Sequence, residues 1–104
     1  METTNVIVNE KNRGEVQLIS DEKQAGKMDI SVHGERLTVY HTEVSEQYEG
    51  RGFAKILLEK LVSYARENAL KIVPLCPYVH AQFQRHPDEY KDVWLKNYPT
   101  KDFG

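Results

Sequence analysis

The sequence predicts an α/β fold: a mixed, mostly antiparallel sheet with a long helix after the fourth strand and a shorter second helix. Three observations carry that reading. Apolar and polar residues alternate with period two over Met28–Val32 and again over Arg36–Val44, the pattern of strands with one buried face. From Phe53 onward the apolar residues fall three and four apart, which marks one face of a helix. The chain has 104 residues, enough for one core and one domain spanning 1–104.

The elements follow in order. Val6-Ile7-Val8 is a short apolar run that ends at Asn9, and the polar stretch Asn9–Gly14 reads as a turn. Glu15–Ser20 alternates weakly and forms the second strand. Asp21–Gly26 reads as another turn before the third strand at Met28–Val32. His33-Gly34-Glu35 is a tight polar connection, and short turns between consecutive strands predict an antiparallel meander. In the fourth strand Leu37, Val39 and His41 are expected on one face, with Thr38, Tyr40 and Thr42 on the other. Phe53, Ile56, Leu57, Leu61, Tyr64 and Ala65 make the apolar face of a helix over Gly52–Asn68, about 25 Å long at roughly 1.5 Å per residue. Leu70–Leu75 is β-branched enough for a strand, and Pro74 makes it an edge or marks a place where pairing is interrupted. Pro77 opens a second helix, Tyr78–Arg85, which stops at Pro87. Asp88–Gly104 carries Trp94 and Tyr98, which are expected to cover a core edge.

Composition excludes several functions. No apolar run nears the roughly 20 residues of a membrane-spanning helix, and the N-terminus lacks a basic segment followed by an apolar one. The 14 basic and 16 acidic residues leave a net charge of −2, which gives no support for nucleic-acid binding through phosphates. Cys76 is the single cysteine, so no internal disulfide forms and a cytoplasmic, reducing setting is expected. The histidines and carboxylates have no metal-ligand spacing, so no metal is expected.

The segment Ser45–Ala54 lies between the fourth strand and the long helix and carries Gly50 and Gly52. Free N–H groups and the dipole at a helix N-terminus form an anion site, and glycines let backbone close on a phosphate. A plain strand–helix turn also accounts for two glycines. The loop is neither a Walker motif nor a dinucleotide fingerprint.

The spacing Gln47-x-x-Gly50-x-Gly52 resembles the Arg/Gln-x-x-Gly-x-Gly/Ala motif of the GNAT family of N-acetyltransferases. More narrowly, His41-Thr42-Glu43-Val44, Gly50-Arg51-Gly52-Phe53-Ala54, Pro74-Leu75-Cys76-Pro77-Tyr78-Val79 and Arg85-His86-Pro87 are similar to a small, compact GNAT-like subgroup. The resemblance covers Arg36 to about His86. It implies acetyl-CoA as co-substrate, with Gln47, Gly50 and Gly52 framing the pyrophosphate. Tyr48, Glu49, Arg51 and Phe53 would lend backbone N–H groups, and Arg51 and Lys55 would add positive charge. It also implies that Thr42, Glu43 and Val44 border the pantetheine arm and the acetyl group. The thioester would then sit where this strand splays from Leu70–Leu75.

Acetyl transfer to an amine requires loss of an amine proton, a polarised carbonyl and protonation of the leaving thiolate. The family's usual tyrosine acid has no counterpart in Ala81-Gln82-Phe83-Gln84-Arg85-His86. Cys76, at the start of the second helix, is a substitute as acid or as a nucleophile that carries the acetyl group, and is otherwise a buried inert thiol. His41 is suited to acid–base work, or is hydrogen-bonded in the core or on the sheet surface. Glu43 is a base acting directly or through water, or a surface carboxylate. Tyr40 and Tyr78 are candidates to line the acceptor pocket. The expected function is acetyl transfer to an amine, on a small molecule or a protein. The other reading is an acetyl-CoA- or acyl-CoA-binding module without efficient transfer, serving as a sensor or interaction domain. The chain lacks room for the helices that cover the substrate in larger relatives, so the acceptor site is open or completed by another chain. The oligomeric state has no signature in the sequence.

Overall fold

A computed structural model describes residues 2–96. Five strands form one sheet: β1 (Glu2–Val8), β2 (Arg13–Ser20), β3 (Lys23–His33), β4 (Arg36–Val44) and β5 (Lys71–Pro74), adjacent in that order. β1 to β4 are an antiparallel meander, and β5 runs parallel to β4. Helix α1 (Phe53–Glu67) makes that crossover, as a parallel connection requires. Helix α2 (Pro77–Arg85) follows β5, and α3 (Pro87–Tyr90) is a single turn. Val93 and Leu95 then bond to both sides of Ile72, so the last described segment lies along the outer edge of β5.

The second turn is tighter than the composition suggested. Asp21 and Glu22 alone reverse the chain, both with positive φ (50° and 68°), and β3 starts at Lys23. Two left-handed residues suit the twist of a two-residue hairpin. The polarity of Lys23 and Gln24 reflects strand-end exposure rather than a loop. Pro74 is the last residue of β5, where its missing N–H does not break the ladder.

The helices and the sheet share one core. Val16, Leu18, Met28, Ile30, Leu37 and Val39 from the sheet pack with Leu57, Leu58, Leu61 and Ala65 of α1 and with Val79 and Phe83 of α2. Trp94 packs against this cluster, its ring tilted and 5.7 Å from that of Phe83. Tyr98 lies outside the described residues.

One irregularity in β4 overturns part of the expected facing. Ile30 pairs with Val39 while Asp29 pairs with His41, so Tyr40 is an extra residue, a β-bulge. The extra residue shifts the alternation by one. Val39 and Thr42 share the helix-covered face with Ile30 and Met28, their cross-strand partners. His41 and Glu43 turn to the opposite face with Asp29 and Lys27. His41 therefore does not share a face with Leu37 and Val39.

Candidate functional site

The geometry is set by where β4 and β5 stop pairing. Their register runs from Arg36–Lys71 to Val39–Pro74 and ends there, although β4 continues for five more residues. The Cys76 N–H donates to the Val39 carbonyl at 2.9 Å and ties the two arms at the apex. Beyond it the two strands form no further pairs. Ser45 N–H donates to the Ala25 carbonyl at 2.8 Å, toward β3. By alternation, the backbone groups of Thr42 and Val44 point the other way, into the gap.

The mouth of the gap is the N-terminus of α1. Gly26 brings the helix close: a Cβ there would lie 3.2 Å from Leu57 Cδ1 and 2.9 Å from the Glu43 carbonyl. The N-cap is Gly52, with no side-chain cap and no acidic residue in the first turn. The first intrahelical bond is donated by Ile56 to Gly52. The N–H groups of Phe53, Ala54 and Lys55 thus have no partner within the helix, and the positive dipole end is left to solvent. Gly50 and Gly52 have φ of 83° and 74°, and a Cβ on either would meet nothing within 4 Å. This leaves open space beside the free backbone donors of the helix start, where an anion is favoured.

The expected phosphate-loop residues divide into two kinds. Glu46–Tyr48 forms a 3₁₀ turn whose Tyr48 and Glu49 N–H groups already bond to the carbonyls of Ser45 and Glu46. Those two amides are committed to the fold rather than free to lend. Tyr48 is buried and stacks on Phe53 at 5.6 Å between ring centres, so both act as props for the loop. The Arg51 guanidinium lies 5.4 Å from the centre of the Tyr48 ring, on the loop's exposed side. Gln47 and Lys55 are also exposed.

The three expected catalytic residues are not brought together. Cys76 is 2% exposed, is the N-cap residue of α2, and shares a hydrogen bond of 3.1 Å with Thr42 Oγ1. His41 and Glu43 are on the other face, with side chains 57% and 55% exposed and a hydrogen bond of 3.2 Å between Nε2 and Oε2. Both groups flank the gap, from opposite sides of the sheet. On α2, burial raises the Tyr78 phenol above its ordinary value, helped by nearby Cys76 and Glu59, so it stays protonated. Tyr40 lies on the open face instead, its hydroxyl 2.7 Å from Ser31 Oγ and its ring beneath Arg13.

Sequence reasoning missed the charges around Glu43. Lys27 Nζ lies 3.2 Å from Asp29 and 3.8 Å from both Glu15 and Glu43. The hydrogen bond to Asp29 and its charge, with lesser pulls from Glu15 and Glu43, hold the Lys27 ammonium above its ordinary value. Alternation in β3 carried the signal, because Lys27 and Asp29 are the polar partners of buried Met28 and Ile30. A concavity of about 520 Å³ runs over this cluster from Glu15 and Gln24 to Val44 and Ser45. Among the described residues no group of three or more His, Cys, Asp or Glu is placed to hold a metal, and no helix is long and apolar enough to cross a membrane.

The site thus joins a parallel pair that stops short of the end of β4 to an uncapped, glycine-bounded helix start. The sequence profile described as GCN5-related N-acetyl-transferase matches residues 13–93. The chain belongs to the GCN5-related N-acetyltransferase (GNAT) family. That family uses acetyl-CoA as co-substrate. A GCN5-like protein from Staphylococcus aureus is similar at 29% identity, with 91% of each chain covered and a TM-score of 0.64. The ribosomal-protein-S18-alanine N-acetyltransferase of Escherichia coli shares the fold at 15% identity and TM-score 0.64, over 71% of this chain and 66% of that one. The ribosomal-protein-alanine N-acetyltransferase of Brucella melitensis does so at 15% identity and TM-score 0.67, over 82% and 90%. The chain thus spans about two thirds of the Escherichia coli enzyme and nine tenths of the other two. A sequence search of curated proteins returned no match.

Proposed function

We propose that this chain is an acetyl-CoA-dependent N-acetyltransferase that transfers the acetyl group directly to an amine. The observation that carries the reading is the junction of two features: a β4–β5 gap faced by the backbone of Thr42 and Val44, and the uncapped α1 N-terminus at its mouth. The pyrophosphate sits on the first-turn amides between Gly50 and Gly52, with Arg51 and Lys55 supplying charge. The pantetheine arm follows the free edge of β4 toward the apex. The acceptor amine enters from the open face, where Glu43, oriented by His41 and Lys27, takes its proton directly or through water. The amine nitrogen attacks the thioester carbonyl, the C–S bond breaks, and the CoA thiolate leaves and is protonated. Tyr78, held as a phenol, is the proton donor on the helix side. Cys76 is part of the wall and carries no acetyl group, because its thiol is buried and hydrogen-bonded. The cytoplasmic setting and an acceptor that is a small molecule or a protein belong to the same proposal.

The test is thiol release from acetyl-CoA across a panel of amines, with intact-mass analysis for acetylated protein. Wild-type turnover on at least one amine is expected, with no adduct on Cys76. Glu43→Gln is expected to lower kcat by about 100-fold or more while leaving acetyl-CoA binding intact, the scale of lost acid–base catalysis. Tight acetyl-CoA binding without turnover on any amine would instead establish a binding module.

A further inference from the structure

We infer that the acceptor is a zwitterion of short-peptide length, an amine joined to a carboxylate about 13 Å away at roughly 3.3 Å per residue of strand. The inference rests on the reading that the acceptor amine approaches Glu43 from the open face of the sheet.

Two concavities lie on that face and meet at Glu15. The first, of about 520 Å³, covers Lys27 and Glu43 beside the gap. The second, of about 510 Å³, continues over Asp29 to Arg13, Tyr40 and Ile7. Together they make a trough along the strands, and the sheet register sets its length. Lys27 pairs with Glu43, and Arg13 pairs with Ser31, four residues farther along β3. Four residues of strand span about 13 Å.

The trough is electrically polar from end to end. Near the gap Glu15, Asp29 and Glu43 converge on the ammonium of Lys27, so three negative charges meet one positive charge. The surplus of negative charge attracts an incoming ammonium. At the other end the Arg13 guanidinium lies 5.4 Å from the centre of the Tyr40 ring and pairs with no carboxylate among the described residues. A planar guanidinium laid on an aromatic face keeps its N–H fork for a carboxylate. The ring beneath it is anchored, because the Tyr40 hydroxyl shares a hydrogen bond of 2.7 Å with Ser31 Oγ. Ile7, 51% exposed, adds an apolar wall. An ammonium at Glu43 and a carboxylate at Arg13 match this polarity. An extended peptide of four residues covers the same distance from its N-terminal amine to its C-terminal carboxylate.

The test is steady-state acetylation by the intact chain of tetra-alanine as free acid and as C-terminal amide, with the same pair for di-alanine and hexa-alanine. The wild type is expected to favour the tetra-alanine acid over its amide in kcat/KM by about fivefold, the upper end for an exposed ion pair, and salt is expected to shrink the ratio. The ratio is expected to fall toward one at the other two lengths and in Arg13→Gln, and to survive in part in Arg13→Lys. The length series needs no variant, so it decides the matter if Arg13→Gln does not fold. Equal use of the tetra-alanine acid and amide would overturn the inference, as would a ratio unchanged by length or in folded Arg13→Gln. No turnover of any peptide, with other amines acetylated, would overturn it while leaving the transferase reading standing. No turnover on any amine would overturn that reading and the inference with it.

Discussion

Gly52→Ala separates the backbone role of the glycine from its role at the site. Gly52 caps α1 with φ of 74°, and a Cβ there meets nothing within 4 Å. The substitution creates no clash, so its cost to the free protein is the left-handed conformation alone, about 1–2 kcal/mol. For a domain of this size that lowers Tm by roughly 4–8 °C per kcal/mol. Gly34, in the turn between β3 and β4, provides the control. Its φ is 59° and its surroundings are equally open, but it lies just before β4, at the opposite end of a strand that spans about 26 Å from Arg36 to Val44 at roughly 3.3 Å per residue. Gly34→Ala is expected to lose the same stability. The two variants part when CoA is added. Ligand at one hundred times Kd stabilises by about 2.7 kcal/mol, a rise of roughly 10–20 °C here. Gly34→Ala keeps that rise from its lower baseline. If the pyrophosphate binds as proposed, the methyl of Gly52→Ala takes up space it needs. If Kd rises a hundredfold, the same ligand concentration contributes only about 0.4 kcal/mol, or roughly 2–3 °C. The assay is a thermal-shift titration of the three proteins. A full CoA-induced rise in Gly52→Ala would refute the placement of the phosphates at the α1 N-terminus.

Three further outcomes follow from the fold. Phe83 is fully buried against Tyr90 and Trp94, so Phe83→Ala is expected to cost about 3–5 kcal/mol in chemical denaturation, enough to unfold a marginal domain. A Cβ at Gly14 would lie 1.9 Å from the Ile7 carbonyl, so Gly14→Ala is expected to detach β1 from β2, seen as lost hydrogen-exchange protection over 2–8 with the rest retained. Arg66 grips Asp92 with two hydrogen bonds of 2.9 and 3.1 Å and holds the Asp92 carboxyl below its ordinary value. A depressed carboxyl contributes stability above its unfolded pKa and loses it as pH falls through the folded value. Asp92→Asn is therefore expected to destabilise by under about 1 kcal/mol at pH 7 for so exposed a pair, seen as a small fall in Tm, with the difference vanishing in acid below the ordinary carboxylate range.

Much of the fold was legible because its signals are local. The period-two alternation of β4 and the three-four spacing of α1 place those elements within a residue or two, and Gly52 and Asn68 bracket α1 as expected, whereas the alternation of β3 marks only its second half and misses its first five residues, Lys23–Lys27. Pro77 opens α2 in the same way. The length of β1 was not legible. Glu2–Asn5 is polar and forms a strand only because Ser20 to Gln17 stands opposite it. The parallel bridge from Trp94 to Ile72 was equally hidden, since contacts between distant segments leave no periodic trace.

The candidate site shows a sharper limit, and it turns on Tyr40. Read as an unbroken strand, β4 sends Leu37, Val39 and His41 to one face and groups Thr42 with Tyr40 on the other. The bulge inserts one unpaired residue, and everything after it changes sides. Without it, His41 and Glu43 would point under α1, where an ionisable pair would have to be desolvated, and Thr42 would face away from Cys76. With it, the Thr42–Cys76 contact closes the apex from the helix side while His41 and Glu43 reach solvent beside the same gap. One irregular residue therefore gives a single strand both a dry wall and a wet, charged rim. Nothing in the composition of Val39-Tyr40-His41 marks it, because a bulge is a property of how two strands pair. The functional division of β4 is thus set by register, and reading it requires the partner strand.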